Sequence, residues 1–146
     1  MARVFISYRR EGGSGFSGRI ADDLERRFGA SEVSRDVEDI RSGEDFAERI
    51  DRALEQSSVL LAVVDKVWLS ACDSRGRRLD DPKDFVRLEI VTALKKGVRV
   101  IPVLVGGAAM PLARELPDNL KLLPGGRHMN CPNRAGSTTW TRWPRR

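Results

Sequence analysis

The chain has 146 residues, 40% hydrophobic and 32% charged, which suits one compact domain with its own core better than two. Its longest apolar run, Val59 to Val64, falls far short of the about 20 residues a membrane-spanning helix needs. Arg3, Arg9, Arg10 and Glu11 crowd the first residues, with no long apolar stretch or small-residue cleavage site, so a cytoplasmic protein making no membrane contact is expected.

Cys72 and Cys131 stand far apart, and His128 is the one histidine; a disulfide framework, a zinc site and a histidine-dependent triad are therefore disfavoured, and no metal is expected. The net charge is +5 and the pI about 9.8. The excess sits at the C-terminal end: residues 124–146 hold Arg127, Arg134, Arg142, Arg145 and Arg146 and no acid, leaving the rest neutral. A neutral body releases few counterions, so nucleic acid is not an expected partner except through that tail.

In chain order, Arg3 to Tyr8 is β-branched and aromatic and ends at charge and glycine, as a buried strand does. After the turn Gly12-Gly13-Ser14-Gly15, the residues Phe16, Ile20, Leu24 and Phe28 recur every four positions and predict a helix that Gly29 stops. Glu32 to Asp36 reads as a second strand. Ser42, with an acid three residues on, caps a second helix whose face carries Phe46, Ile50, Ala53 and Leu54. Val59 to Val64 is continuously apolar, the mark of a central parallel strand covered on both faces.

Ser70 to Asp80 is polar and reads as a loop. Asp81-Pro82-Lys83-Asp84 combines a cap, a first-turn proline and an acid, and predicts a third helix from about Pro82 to Lys96, closed by Gly97. Val98 to Val105 is a further strand, in which Pro102 favours an edge or an end. Alternating strands and helices imply an α/β fold, a doubly wound parallel sheet of flavodoxin-like type with helices on both faces. The domain is expected to span residues 1–123. Residues 124–146 contain no Leu, Ile, Val or Phe and no periodicity, and read either as a disordered basic tail or as a replacement of the natural sequence.

In such sheets ligands bind beyond the carboxyl ends of the strands, here Ser7 to Gly15, Asp36 to Gly43 and Asp65 to Asp80. The first combines Arg9, Arg10 and a glycine turn before a helix, able to hold phosphates or simply to be a solvated loop. Asp36, Glu38 and Asp39 raise a magnesium or phosphoacceptor site, but Ser7-Tyr8-Arg9-Arg10 stands where a receiver needs an acidic pair, and Gly106-Gly107 where it needs a lysine. Trp68 either stacks on a flat ring or caps the sheet as core. Glu89 has Phe85, Val86, Thr92 and Ala93 at helical spacing and no base among them. It is either a carboxylate kept in an apolar setting for function, or a surface glutamate that points to solvent or pairs with a base from another element.

Three segments in this order, Val4-Phe5-Ile6-Ser7-Tyr8-Arg9-Arg10-Glu11, then Arg35 to Phe46, then Asp84-Phe85-Val86-Arg87-Leu88-Glu89, resemble a bacterial TIR domain (Toll and interleukin receptor homology) of the NAD⁺-consuming type. The resemblance covers residues 2 to about 123. It implies NAD⁺ as substrate, no cofactor, and cleavage of the nicotinamide–ribose bond by the catalytic Glu89, giving nicotinamide plus ADP-ribose or a cyclic ADP-ribose isomer. By the same resemblance Ser7, Tyr8, Arg9, Arg10, Trp68 and Phe85 bind substrate, with the arginines near the pyrophosphate. The BB loop, Asp36, Val37, Glu38, Asp39, Ile40, Arg41, Ser42 and Gly43, serves self-assembly with other TIR domains, under a sensor domain or protein in anti-phage signalling. The alternative is a non-catalytic TIR adaptor. Two departures stand out: Phe85 replaces a tryptophan, and residues 124–146 show no pattern for the family's last strand and helix.

Overall fold

Side-chain alternation sorts the strands into two faces before any helix is added. The computed structural model of the chain describes residues 3–35, 46–120 and the pair 129–130, with the backbone alone at residues 10–14, 35, 46, 113, 129 and 130. Its elements are β1 (Val4–Tyr8), α1 (Arg10–Phe28), β2 (Val33–Arg35), α2 (Phe46–Glu55), β3 (Val59–Val64), β4 (Cys72–Asp73), β5 (Gly76–Arg77), α3 (Phe85–Lys95), β6 (Arg99–Leu104) and β7 (Met129–Asn130). The main sheet has the order β2-β1-β3-β6-β7, and all its pairings are parallel. In register, Val4 pairs with Val33 and Val59, and Val59 with Arg99.

Val4, Ile6, Leu61, Val63, Val103 and Val105 turn to one face, where Ile20, Ala21 and Leu24 of α1 cover them. Phe5, Leu60, Ala62, Val64 and Leu104 turn to the other and meet Ile50 and Leu54 of α2 and Val86, Ile90 and Ala93 of α3. Each fully buried Ile or Leu of these layers contributes about 1.5–3 kcal/mol. With both faces covered, the expected doubly wound parallel α/β sheet is present, and β3 is its apolar centre.

Several local expectations are corrected. The Gly12–Gly15 segment, read as a turn that holds phosphates or as a solvated loop, is part of α1, which begins at Arg10. Phe28 ends that helix 61% exposed, since the buried face has already turned away after Leu24. The predicted 70–80 loop contains the β4–β5 hairpin and a 3-10 turn at Arg78–Asp80 that buries Leu79. Helix α3 starts at Phe85 rather than Pro82, because Asp84, not Asp81, is the cap: its side chain accepts a hydrogen bond from the Arg87 N–H at 3.2 Å. Gly97 does close α3, at φ 74, a left-handed conformation that glycine adopts without a side-chain penalty.

A fifth strand exists where none was expected. Met129–Asn130 pairs with Val103–Leu104 of β6, so the C-terminal end of β6 is not a free edge. Pro102 lies just before this paired segment, opposite Ala62 of β3, where its missing N–H does not interrupt the β7 ladder. The rest of 124–146, like Asp36–Gly43, lies outside the described residues. No helix among the described residues is long and apolar enough to cross a membrane.

Candidate active site

Strand order reverses beside β1: β2 lies on one side of it and β3 on the other, and in open parallel sheets ligands bind beyond the carboxyl ends of the strands at such a reversal. β1 leaves the sheet through Ser7, Tyr8 and Arg9; β3 leaves through Asp65, whose Oδ1 accepts a hydrogen bond from the Val67 N–H at 2.7 Å and turns the chain toward Trp68.

Arg9 joins these exits to α3. Its Nη1 and Nη2 each donate to Asp84, to Oδ1 and Oδ2, at 2.7 Å, and its Nε donates to the Trp68 carbonyl at 3.3 Å. Arg9 is 2% exposed. The sequence reading placed this arginine at a substrate pyrophosphate; the structure places it in a buried, two-pronged ion pair. Two parallel bonds to one carboxylate hold both charges in a single orientation. Asp84 thereby serves twice, as partner of Arg9 and as cap of α3. Sequence reasoning assigned Asp84 only to a first helical turn, and nothing local in the sequence signals a pairing across 75 residues.

Glu89 follows in the second turn of α3 and is fully buried, between Val86, Ile90 and Ala93 on the same helix. The surface reading of Glu89 is thus corrected. Phe85 is partly buried against the α2/α3 core. Trp68 is fully buried in that core, which decides between its two readings in favour of sheet-capping core. Tyr8 packs instead against the α1-side cluster, so the sheet separates it from Phe85 and Glu89.

Ser7 Oγ and Trp68 Nε1 are buried without a hydrogen-bond partner among the described residues. A buried polar group without a partner costs about 1–3 kcal/mol, and such costs concentrate at binding sites. Arg9 thus ties the end of β1 and the Trp68 carbonyl to the start of α3, the helix that carries Phe85 and Glu89, and Ser7 lies at the same end of β1. The side chain of Arg10 and the whole of Asp36–Gly43 lie outside the described residues.

The hairpin side of the site is fastened by two arginines. Arg77 donates to both oxygens of Asp80, at 2.7 and 3.1 Å, and to the Glu115 carbonyl at 2.6 Å. Arg87 Nη1 donates to the Leu79 carbonyl at 3.1 Å. A separate cavity of about 230 Å³ lies at the ends of β3 and β6, between Asp65, Lys66, Leu69, Met110 and Glu115. Glu89 does not line it, and its volume is below the roughly 300–1,000 Å³ of small-molecule sites.

A five-stranded parallel sheet of this order, with a buried glutamate on the third helix and an arginine tying the first strand to that helix, defines an α/β domain of the doubly wound class. The chain belongs to the TIR domain family, which it matches over residues 4–128. It is 29% identical over 118 residues to the NAD(+) hydrolase sarm1 of Drosophila melanogaster, a match that takes in 81% of this chain and 8% of that protein's length. Its fold is similar to the TIR domains of the activated Roq1 resistosome that directly recognises the pathogen effector XopQ, with a TM-score of 0.55 and 17% identity over 82% of this chain and 66% of the other. It is also similar to a metazoan TIR-STING receptor from C. gigas, with a TM-score of 0.52 and 22% identity over 82% of this chain and 35% of that one.

Proposed function

We propose that this TIR domain cleaves NAD⁺ at the bond between nicotinamide and ribose, with Glu89 as the catalytic residue. The observation that carries the reading is the Glu89 carboxylate, fully buried on a helix tied directly to the end of β1. The similarity to an NAD(+) hydrolase over 81% of the chain supports the substrate.

In this reading the glycosidic electron pair departs with nicotinamide, whose ring nitrogen becomes neutral, and positive charge develops on the ribose. One carboxylate beside the ribose stabilises that oxocarbenium-like state; because the leaving group needs no proton, a second acid is unnecessary and no cofactor enters. Water attacking the ribose carbon then gives ADP-ribose and a proton, whereas attack by an adenine nitrogen gives a cyclic isomer. In the same reading Phe85, one turn before Glu89 on α3, serves as the aromatic neighbour of the substrate, and Ser7 and Arg10, at the end of β1 and the start of α1, serve its polar groups.

The signalling role belongs to the same proposal: copies of the domain assemble through residues 36–43, under a sensor domain or protein, as an effector in anti-phage immunity. The test is nicotinamide release from NAD⁺ at protein concentrations high enough to drive assembly, followed by chromatography, with Glu89→Ala in parallel. Release lost in the variant while assembly persists supports the enzyme. No release from assembled wild-type protein leaves the adaptor role in its place.

A further inference from the structure

We infer that Arg9 is a positioning residue that sets Glu89 through Asp84, an inference that rests on the proposed NAD⁺ cleavage. Arg9 is poorly placed to touch substrate because its guanidinium is already committed: Nε, Nη1 and Nη2 are each engaged, with Trp68 O, Asp84 Oδ1 and Asp84 Oδ2. What these bonds hold is the start of α3. The Asp84 oxygen that receives Arg9 Nη2 also accepts the Arg87 N–H, so the orientation of the cap depends on the arginine.

Glu89 lies five residues beyond Asp84, about 7.5 Å along the helix axis. Val86, Ile90 and Ala93 press α3 onto the sheet, but apolar contacts are non-directional and do little to fix where the helix sits along its own axis. The two-pronged bond to Arg9, anchored at the end of β1 and on the Trp68 carbonyl, supplies that direction. Arg87 continues the tie to the Leu79 carbonyl, so the first turn of α3 is held from the sheet and from the hairpin side together. A displacement of about 1 Å at a reacting group can cost about 100-fold in rate, which is the scale of effect such a clamp controls.

The test uses Arg9→Lys, which keeps the charge and loses the fork, Asp84→Asn, which keeps a capping oxygen and loses the charge, and the double variant. Nicotinamide release gives kcat and KM for NAD⁺ per folded molecule, and hydrogen exchange reports the amides of Arg87 to Glu89. Each single variant is expected to lower kcat about 10- to 100-fold with KM changed by less than about 3-fold, and to speed exchange at Arg87 to Glu89 while β3 amides are unchanged. The double variant is expected to match the worse single variant, since both remove one interaction. A raised KM with kcat unchanged would make Arg9 a substrate contact and overturn the inference, as would a lowered melting temperature with kcat per folded molecule retained. A wild-type protein that releases no nicotinamide overturns the NAD⁺ reading itself and this role with it; the wild-type rate tells the two failures apart.

Discussion

Arg9 and Asp84 meet through two hydrogen bonds of 2.7 Å, with side-chain exposures of 1% and 3%. Removing two charges from water is costly, and the fork repays it by fixing geometry as much as by attraction. Removing Asp84 leaves Arg9 buried without its carboxylate, and removing Arg9 leaves the buried Asp84 only the more distant Arg78 Nε, at 3.9 Å. Arg9→Ala is therefore expected to destabilise the domain by about 3–5 kcal/mol, and Arg9→Ala with Asp84→Ala by less than the sum of the single changes. Urea unfolding of the three variants measures this, and strict additivity would refute it.

Glu89→Gln keeps the shape of the side chain and removes its charge. Under the proposed reaction nicotinamide release falls on the order of 100-fold or more, because the stabilisation of positive charge on the ribose is lost. The melting temperature is expected to stay within a few degrees of wild type. A variant that folds and still turns over NAD⁺ at the wild-type rate would remove Glu89 from the mechanism.

Trp68 contributes volume to the core while its Nε1 finds no partner among the described residues. Trp68→Phe, which retains most of the packing and deletes the stranded donor, is expected to change stability by less than about 1.5 kcal/mol. Trp68→Ala, which opens a cavity in the core on the α2/α3 side of the sheet, should cost about 3–5 kcal/mol. Equal losses in both variants, read from denaturant midpoints, would show that the indole N–H is satisfied.

The Arg77–Asp80 pair predicts a small acid sensitivity. Its hydrogen bond with Arg77 holds the Asp80 carboxyl below the usual 3.8. The bound state prefers the ionised acid, so its contribution is complete above that value and is lost as pH falls through the lowered one. Asp80 is exposed and the pair is solvent-screened, so the contribution is less than about 1 kcal/mol. Asp80→Asn should flatten the lower end of the stability-versus-pH curve slightly and leave neutral pH almost unaffected, as thermal melts at stepped pH will show.

Periodicity in the sequence by itself determined the layers. Val59 to Val64 reads as a central strand because six consecutive apolar residues suit a strand covered on both faces, and Ile20, Leu24, Ile50 and Leu54 fall on buried faces because helical spacing puts them there. The cap signal in Asp81-Pro82-Lys83-Asp84 and the stop at Gly97 also placed Phe85 and Glu89 on one helix. Only the tertiary structure decided where Arg9 and Asp84 spend their charges, since their pairing crosses 75 residues and has no local signature. It also decided that Asp84 rather than Asp81 starts α3, that Tyr8 faces away from Glu89, and that Met129–Asn130 adds a strand. The physical reason is common to all four. Local patterns encode which face of an element is apolar, whereas a polar side chain or a two-residue strand is placed by the partner it meets once the apolar faces have closed.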